Sequence, residues 1–197
     1  MERTRSAILA AALQCLATDG VRKTTMGDVS AATGIAKATL YNHFRTKPDL
    51  LEALVDDQVA ALASACTALA SETAAAGSGG RLDAALVHAA GTIADSPALR
   101  RVAAEEPALL LPLLVPRQAR AWFQARAAVG DVLLAAGLPA APQAVDAVLR
   151  WLVGQLVWPI EPAHLAASAA LLSAGVGSAT VGAPEEQGPS DGSGRPG

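Results

Sequence analysis

The sequence predicts an all-α protein: a small three-helix N-terminal domain followed by a larger helical body. Three observations carry that expectation. Apolar residues recur every three to four positions along most of the chain, and no useful stretch alternates with period two. Ala, the strongest helix former, supplies much of the 52% hydrophobic content, and aromatics make up only 3%, so helices should approach closely through small side chains. Gly or Pro stands at the breaks between periodic stretches, as helix stops and starts require.

The elements follow in order. A first helix is expected over Arg3–Thr18, with Ile8, Ala11, Ala12, Cys15 and Leu16 at helical spacing and Gly20 as the left-handed residue that ends it. Thr25 is a good N-cap for a second, short helix, and Asp28 three residues on makes a capping-box variant. Val29 and Ala32 give that helix an inner face, and Gly34 stops it. The tight turn Thr33–Ala36 leads to a third helix, Lys37–Phe44. Leu40 and Phe44 are four apart and point one way, while Lys37, Thr39, Tyr41 and Asn42 largely point elsewhere. Thr46 caps a fourth helix, whose first turn tolerates Pro48 because that N–H would be unpaired anyway. It runs through Leu50, Leu51, Leu54, Val55, Val59, Leu62 and Leu69 to about Thr73. Ala74–Gly80 reads as a loop. Further helices are expected at about Arg81–Asp95, Pro97–Glu105, Pro116–Ala136, Pro142–Trp158 and Pro162–Ala174. Ala108–Leu114 is ambiguous, being apolar with Pro112 inside it. Val176–Gly197, rich in Gly, Pro and Ser, reads as a disordered tail.

Charge divides the chain in two. The net charge is −3, yet residues 1–50 hold seven basic and four acidic residues, a balance of +3 that leaves −6 for the remainder. All three lysines lie in those first fifty residues. A basic head on an acidic body points to a polyanionic partner for the head.

Several classes are excluded. No uninterrupted apolar run approaches the roughly 20 residues of a membrane span. Met1–Ala12 carries Glu2, Arg3 and Arg5 and has no long apolar core, so no signal peptide is expected and the compartment is the cytoplasm. Cys15 and Cys66 fall within apolar helical patterns and are expected as free thiols. His43, His88 and His164 are far apart and lack metal-ligand spacing. There is no G-x-S-x-G, P-loop or Rossmann glycine pattern, and the pair Glu105–Glu106 reads as a solvated helix end. No enzyme, metal or cofactor is expected.

Residues 25–44, helix, short turn with Gly, helix, have the helix-turn-helix spacing. In that motif the second helix enters the DNA major groove with its N-terminal residues toward base edges. The residue types suit it. Lys37 can donate to guanine O6/N7 or to phosphate, Thr39 can meet phosphate or a thymine methyl, and Asn42 can pair with adenine N6/N7. Tyr41 and His43 can donate to phosphates, and Lys47 stands at a helix N-terminus. A plain helical hairpin with a solvated face is the competing reading. The clustering of basic residues here, with two of the few aromatics, Tyr41 and Phe44, weighs against it.

At these positions the sequence resembles a known family. Arg5-x-x-Ile8-Leu9-x-Ala11-Ala12, Gly20, Thr24-Thr25, Val29-x-x-Ala32-x-Gly34-Ile35, Leu40-Tyr41-x-His43-Phe44 and Lys47-x-x-Leu50-Leu51 look like the N-terminal domain of the TetR family of transcriptional repressors, over about residues 3–60. The resemblance implies a homodimer whose subunits each have a three-helix DNA-binding head and a helical body that binds a small effector. It implies DNA contacts at Lys37, Ala38, Thr39, Tyr41, Asn42 and His43, with Thr25, Met26, Gly27 and Lys47 contributing. There are departures. Ala36 stands where serine is common and would cap the recognition helix, at a cost of about 1 kcal/mol. Ala38 replaces a common glycine, and Leu16 a common phenylalanine. Gly27 offers no side chain to a base, so the preceding helix should read less sequence.

The domains expected are residues 1–60 for DNA binding, 61–175 for effector binding and dimerisation, and 176–197 as tail. Helix Pro142–Trp158 is apolar on most of its circumference and must be covered on more than one side. It and Pro162–Ala174 are expected to pair with their copies as a four-helix bundle, which would set two recognition helices on an inverted-repeat operator. A small hydrophobic effector would bind among the body helices, against Trp122, Phe123, Trp151 and Trp158, with His88, Arg126 and Gln155 as polar contacts. The expected function is a repressor released from its operator by that effector. The alternative is a helical protein-interaction module whose helix-turn-helix does not bind DNA.

Overall fold

The computed structural model describes residues 2–72, 78–105, 107 and 120–181. Among them nine helices follow one another: α1 (Glu2–Lys23), α2 (Met26–Thr33), α3 (Lys37–His43), α4 (Lys47–Glu72), α5 (Ser78–Asp95), α6 (Pro97–Glu105), α7 (Arg120–Ala135), α8 (Pro142–Val157) and α9 (Pro162–Val181). The described residues contain no strand, and the fold is all-α.

Two apolar clusters organise the chain. The first joins Ile8, Leu9 and Leu16 of α1 to Val29 of α2, Leu40 of α3, Phe44, and Leu50 and Leu54 of α4. Leu40 is fully buried, which contributes about 1.5–3 kcal/mol. The second cluster joins Cys66 and Ala70 of α4, Leu82 and Leu86 of α5, Trp122 and Leu133 of α7, Val145, Val148 and Leu149 of α8, and Ala169 and Val176 of α9. α4 is long enough to serve both. α6 also crosses over: Ala98 is buried in the first cluster and Val102 packs against it.

The sequence expectations need correction at several ends. α1 does not stop before Gly20. It continues to Lys23 through a kink at Gly20, whose φ of 80° and ψ of 171° lie outside the left-handed helical region as well as the right-handed one. The Gly20 carbonyl accepts from the Thr24 N–H at 3.2 Å and from its hydroxyl at 2.7 Å, which closes one more turn. Ala32 is exposed, and the inner face of α2 is Met26, Val29 and Ser30. α5 begins at Ser78, inside the expected loop. α9 continues to Val181, seven residues past Ala174 and into the expected tail, because Val176 is buried in the body cluster and pays for order there. Ala108–Leu114, the start of the expected helix at Pro116 and residues 182–197 lie outside the described residues.

α4 is long and apolar enough by composition to cross a membrane, with a mean hydropathy of 1.3 over 18 residues. Leu50, Leu54, Cys66 and Ala70 of this helix are instead buried in the two protein clusters. Both cysteines are free; Cys66 is buried, and Cys15 only half-buried.

Candidate nucleic-acid interface

Local bonds fix the α2–turn–α3 unit. Thr25 caps α2: its hydroxyl accepts from the Asp28 N–H at 3.2 Å, and Asp28 Oδ2 accepts from the Thr25 N–H at 2.8 Å and hydroxyl at 2.7 Å. These bonds hold the Asp28 carboxyl below the ordinary carboxylate range, the Thr25 hydroxyl contributing most and the Lys37 charge adding to it. Gly34 ends α2 in the left-handed conformation, φ 70°, and its N–H donates to the Ala31 carbonyl at 3.2 Å. Across the turn the Ser30 hydroxyl donates to the Ile35 carbonyl at 2.7 Å.

α3 starts at Ala36 with no side-chain cap, the consequence of alanine there. Leu40 and Phe44 point into the head cluster. The Arg5 guanidinium lies 5.4 Å from the Phe44 ring centroid and covers the ring from outside. Lys37, Ala38, Thr39, Tyr41 and Asn42 are exposed together on the other side of α3, and His43 is half-buried at its end. The sequence-predicted contacts therefore share one polar face, with three exceptions. Met26 is buried in the head cluster, so its side chain cannot reach DNA and only its N–H is available. Lys47 is half-buried and its ammonium donates to the Val21 carbonyl, tying the start of α4 to the last turn of α1. Gly27 is half-buried and lies against the Lys37 side chain. None of these three placements has a local sequence signal.

The comparisons with known proteins fit this geometry. Residues 8–54 match the family described as "Bacterial regulatory proteins, tetR family". Over these residues the chain is similar to that family. The HTH-type transcriptional regulator TtgR of Pseudomonas putida is 34% identical over 55 residues, 28% of this chain and 26% of that protein. The chain thus matches about a quarter of that relative's length. A TetR transcriptional regulator from Rhodococcus sp. RHA1 has a TM-score of 0.60 at 19% identity, covering 89% of this chain and 96% of its own. The fatty acid degradation regulator FadR from Bacillus halodurans gives 0.58 at 17%, covering 86% and 94%. These two likenesses extend the TetR-type fold from the head to the body.

The body does not gather the seven residues expected around an effector. Trp122 is buried in the body cluster, while Phe123 beside it is 59% exposed. Arg126 pairs with Asp146. Trp151 donates from its ring N–H to the Ser168 hydroxyl at 3.0 Å, and Trp158 is 85% exposed. Gln155 is buried, donating to the Trp151 carbonyl and accepting from the Ile160 N–H at 2.9 Å. His88 lines a separate open depression with Val87 and Asp95. Of the seven, only Gln155 borders the cleft of about 300 Å³ between α5, α6 and α8, whose walls include Leu99, Arg100, Ala103 and Leu156. Trp122 and Trp151 find their partners on other helices, which spacing along a single helix does not reveal. Among the described residues no group of three or more His, Cys, Asp or Glu could hold a metal.

Proposed function

We propose that this protein is a DNA-binding transcriptional repressor that acts as a homodimer on an inverted-repeat operator and is released by a small hydrophobic effector. The observation that carries the reading is the polar face of α3: Lys37, Thr39, Tyr41 and Asn42 exposed together, with Leu40 and Phe44 anchoring the opposite side. A basic head is the electrostatic complement of a duplex. On this reading residues 1–60 are the DNA-binding domain and 61–181, to the end of α9, the effector and dimerisation domain, and the protein works in the cytoplasm.

Dimerisation is assigned to α8 and α9. Trp158 and Val157 at the end of α8 and Leu171 on α9 are exposed by 85%, 66% and 77%, an apolar surface that a second copy would cover. The effector is assigned to the cleft between α5, α6 and α8, since α6 also packs into the head cluster. The effector would shift the heads only to the extent that it binds the low-affinity arrangement better.

The test is selection of duplexes from a random library at near-physiological salt, with mass measured in solution. Enrichment of an inverted repeat with half-sites about 34 Å apart is expected. A folded protein that enriches no duplex would instead be a protein-interaction module, and a monomer at micromolar concentration would overturn the bundle.

A further inference from the structure

The placement of Lys37 against Gly27 goes beyond a collection of separate contacts. A Cβ built on Gly27 would lie 3.7 Å from both Cε and Nζ of Lys37, and 3.4 Å from Thr25 Oγ1. Lys37 therefore leaves the first turn of α3 and lies back across the first turn of α2, with its ammonium over position 27. A lysine can take this course only where the facing residue has no side chain beyond a methyl. Lys37 as a residue is exposed. No hydrogen bond holds the ammonium among the described residues, in contrast to Lys47, which is tied to a backbone carbonyl. Asp28, one residue from Gly27, interacts electrostatically with Lys37.

We propose that Gly27 and Lys37 are a single specificity unit: the empty position on α2 lets the Lys37 ammonium stand at the junction of the two helices and read one guanine per half-site. The inference rests on the DNA-binding reading and deepens it. Guanine presents two acceptors, O6 and N7, to a single point donor in the major groove. A phosphate is the poorer partner at this point, because the neighbouring Asp28 carboxylate repels an anion and leaves a neutral base edge unaffected. Gly27 thereby determines sequence preference without touching a base itself. A side chain there does not simply add a contact; it displaces the lysine.

The experiment selects duplexes with the full-length protein and its Lys37→Ala, Gly27→Thr and Gly27→Thr/Lys37→Ala variants, with thermal melting to establish that each is folded. Lys37→Ala is expected to lose preference at one guanine per half-site, by roughly tenfold or more, with other positions kept. Gly27→Thr is expected to change the same position. In the Lys37→Ala background Gly27→Thr adds nothing at that position. The proposal is overturned if Gly27→Thr leaves the guanine preference intact or acts independently of Lys37. It is also overturned if Lys37→Ala weakens all duplexes alike and lowers the salt slope by about one, the signature of a phosphate contact. Failure of the wild-type protein to enrich any duplex is a different result, which removes the DNA-binding reading and this inference with it.

Discussion

The carboxylate of Glu105 lies over Gly20, in space that a Cβ at position 20 would occupy. Glu105 is the last residue of α6, and Gly20 is the kink in α1. Along α6, Ala98, Val102 and Glu105 follow at four and three residues, so they share the side that meets α1. Leu99, Arg100, Ala103 and Ala104 fall on the other side and line the cleft against α5 and α8. One nine-residue helix thus has one face in the head and the other in the body. An occupant that moved α6 by a fraction of a helix turn would press on α1, because packed cores respond by rearranging and not by stretching.

Replacing Gly20 with alanine tests this junction. At φ 80° and ψ 171° the backbone is in a region that essentially only glycine populates. The added Cβ would also collide with Glu105. A loss of about 1–3 kcal/mol is expected in urea denaturation from the backbone alone. Glu105→Ala in the same chain should relieve the collision and leave the backbone strain. A Gly20→Ala protein as stable as wild type would mean that α1 can straighten here.

Thr25→Ala removes the cap of α2 and should cost about 1 kcal/mol at neutral pH. The pH dependence has a definite sign. Asp28 is held below its ordinary value by bonds from Thr25, so its contribution is complete above the unfolded carboxylate value of about 3.9 and is lost as pH falls through the lowered folded value. The stability difference between wild type and Thr25→Ala should therefore be flat above about pH 5 and narrow below about pH 4. A gap that persists unchanged in acid would show that the hydroxyl acts without the carboxylate.

The head was legible because its signals are local. A cap with Asp28 three residues on, a left-handed Gly34 and the pair Leu40/Phe44 each act within one or two turns. What the sequence did not reveal depends on distant partners. Met26 looks like any first-turn residue until α2 packs on the head cluster. The ammonium of Lys47 meets a carbonyl 26 residues away. α9 outruns its expected end because Val176 finds the body core. Trp122, Phe123, Trp151 and Trp158 stand out by residue type alone, and residue type carries no information about which helices meet.

Lys47 and Tyr41 should separate in their effects. Tyr41 is 47% exposed on α3, and Tyr41→Ala should leave stability within about 0.5 kcal/mol while weakening all duplexes alike. Lys47→Ala leaves the Val21 carbonyl without its donor and should cost about 1–3 kcal/mol of stability. Its salt slope of duplex binding should stay that of the wild type. A slope reduced by about one with stability unchanged would put the ammonium on a phosphate instead.

The two thiols differ in environment, and their chemistry should follow. Burial pushes Cys66 up to about 11, and its sulfur donates to the Ala85 carbonyl at 3.5 Å. Cys15 is also raised, by burial first and by the charges of Asp19 and Asp28, but it is only half-buried. At pH 8 roughly a thousandth of Cys66 is thiolate, so a thiol reagent reaches it only when the body opens. Cys15 should therefore label first in the native protein, and both should label together in denaturant. Because the folded value of Cys66 exceeds the unfolded value of about 8.5, its contribution is full below that pH and is lost as pH rises toward 11. Cys66→Ala should flatten that alkaline fall. Native labelling of Cys66 as fast as Cys15 would mean that the body cluster around α4 and α5 opens far more readily than its packing implies.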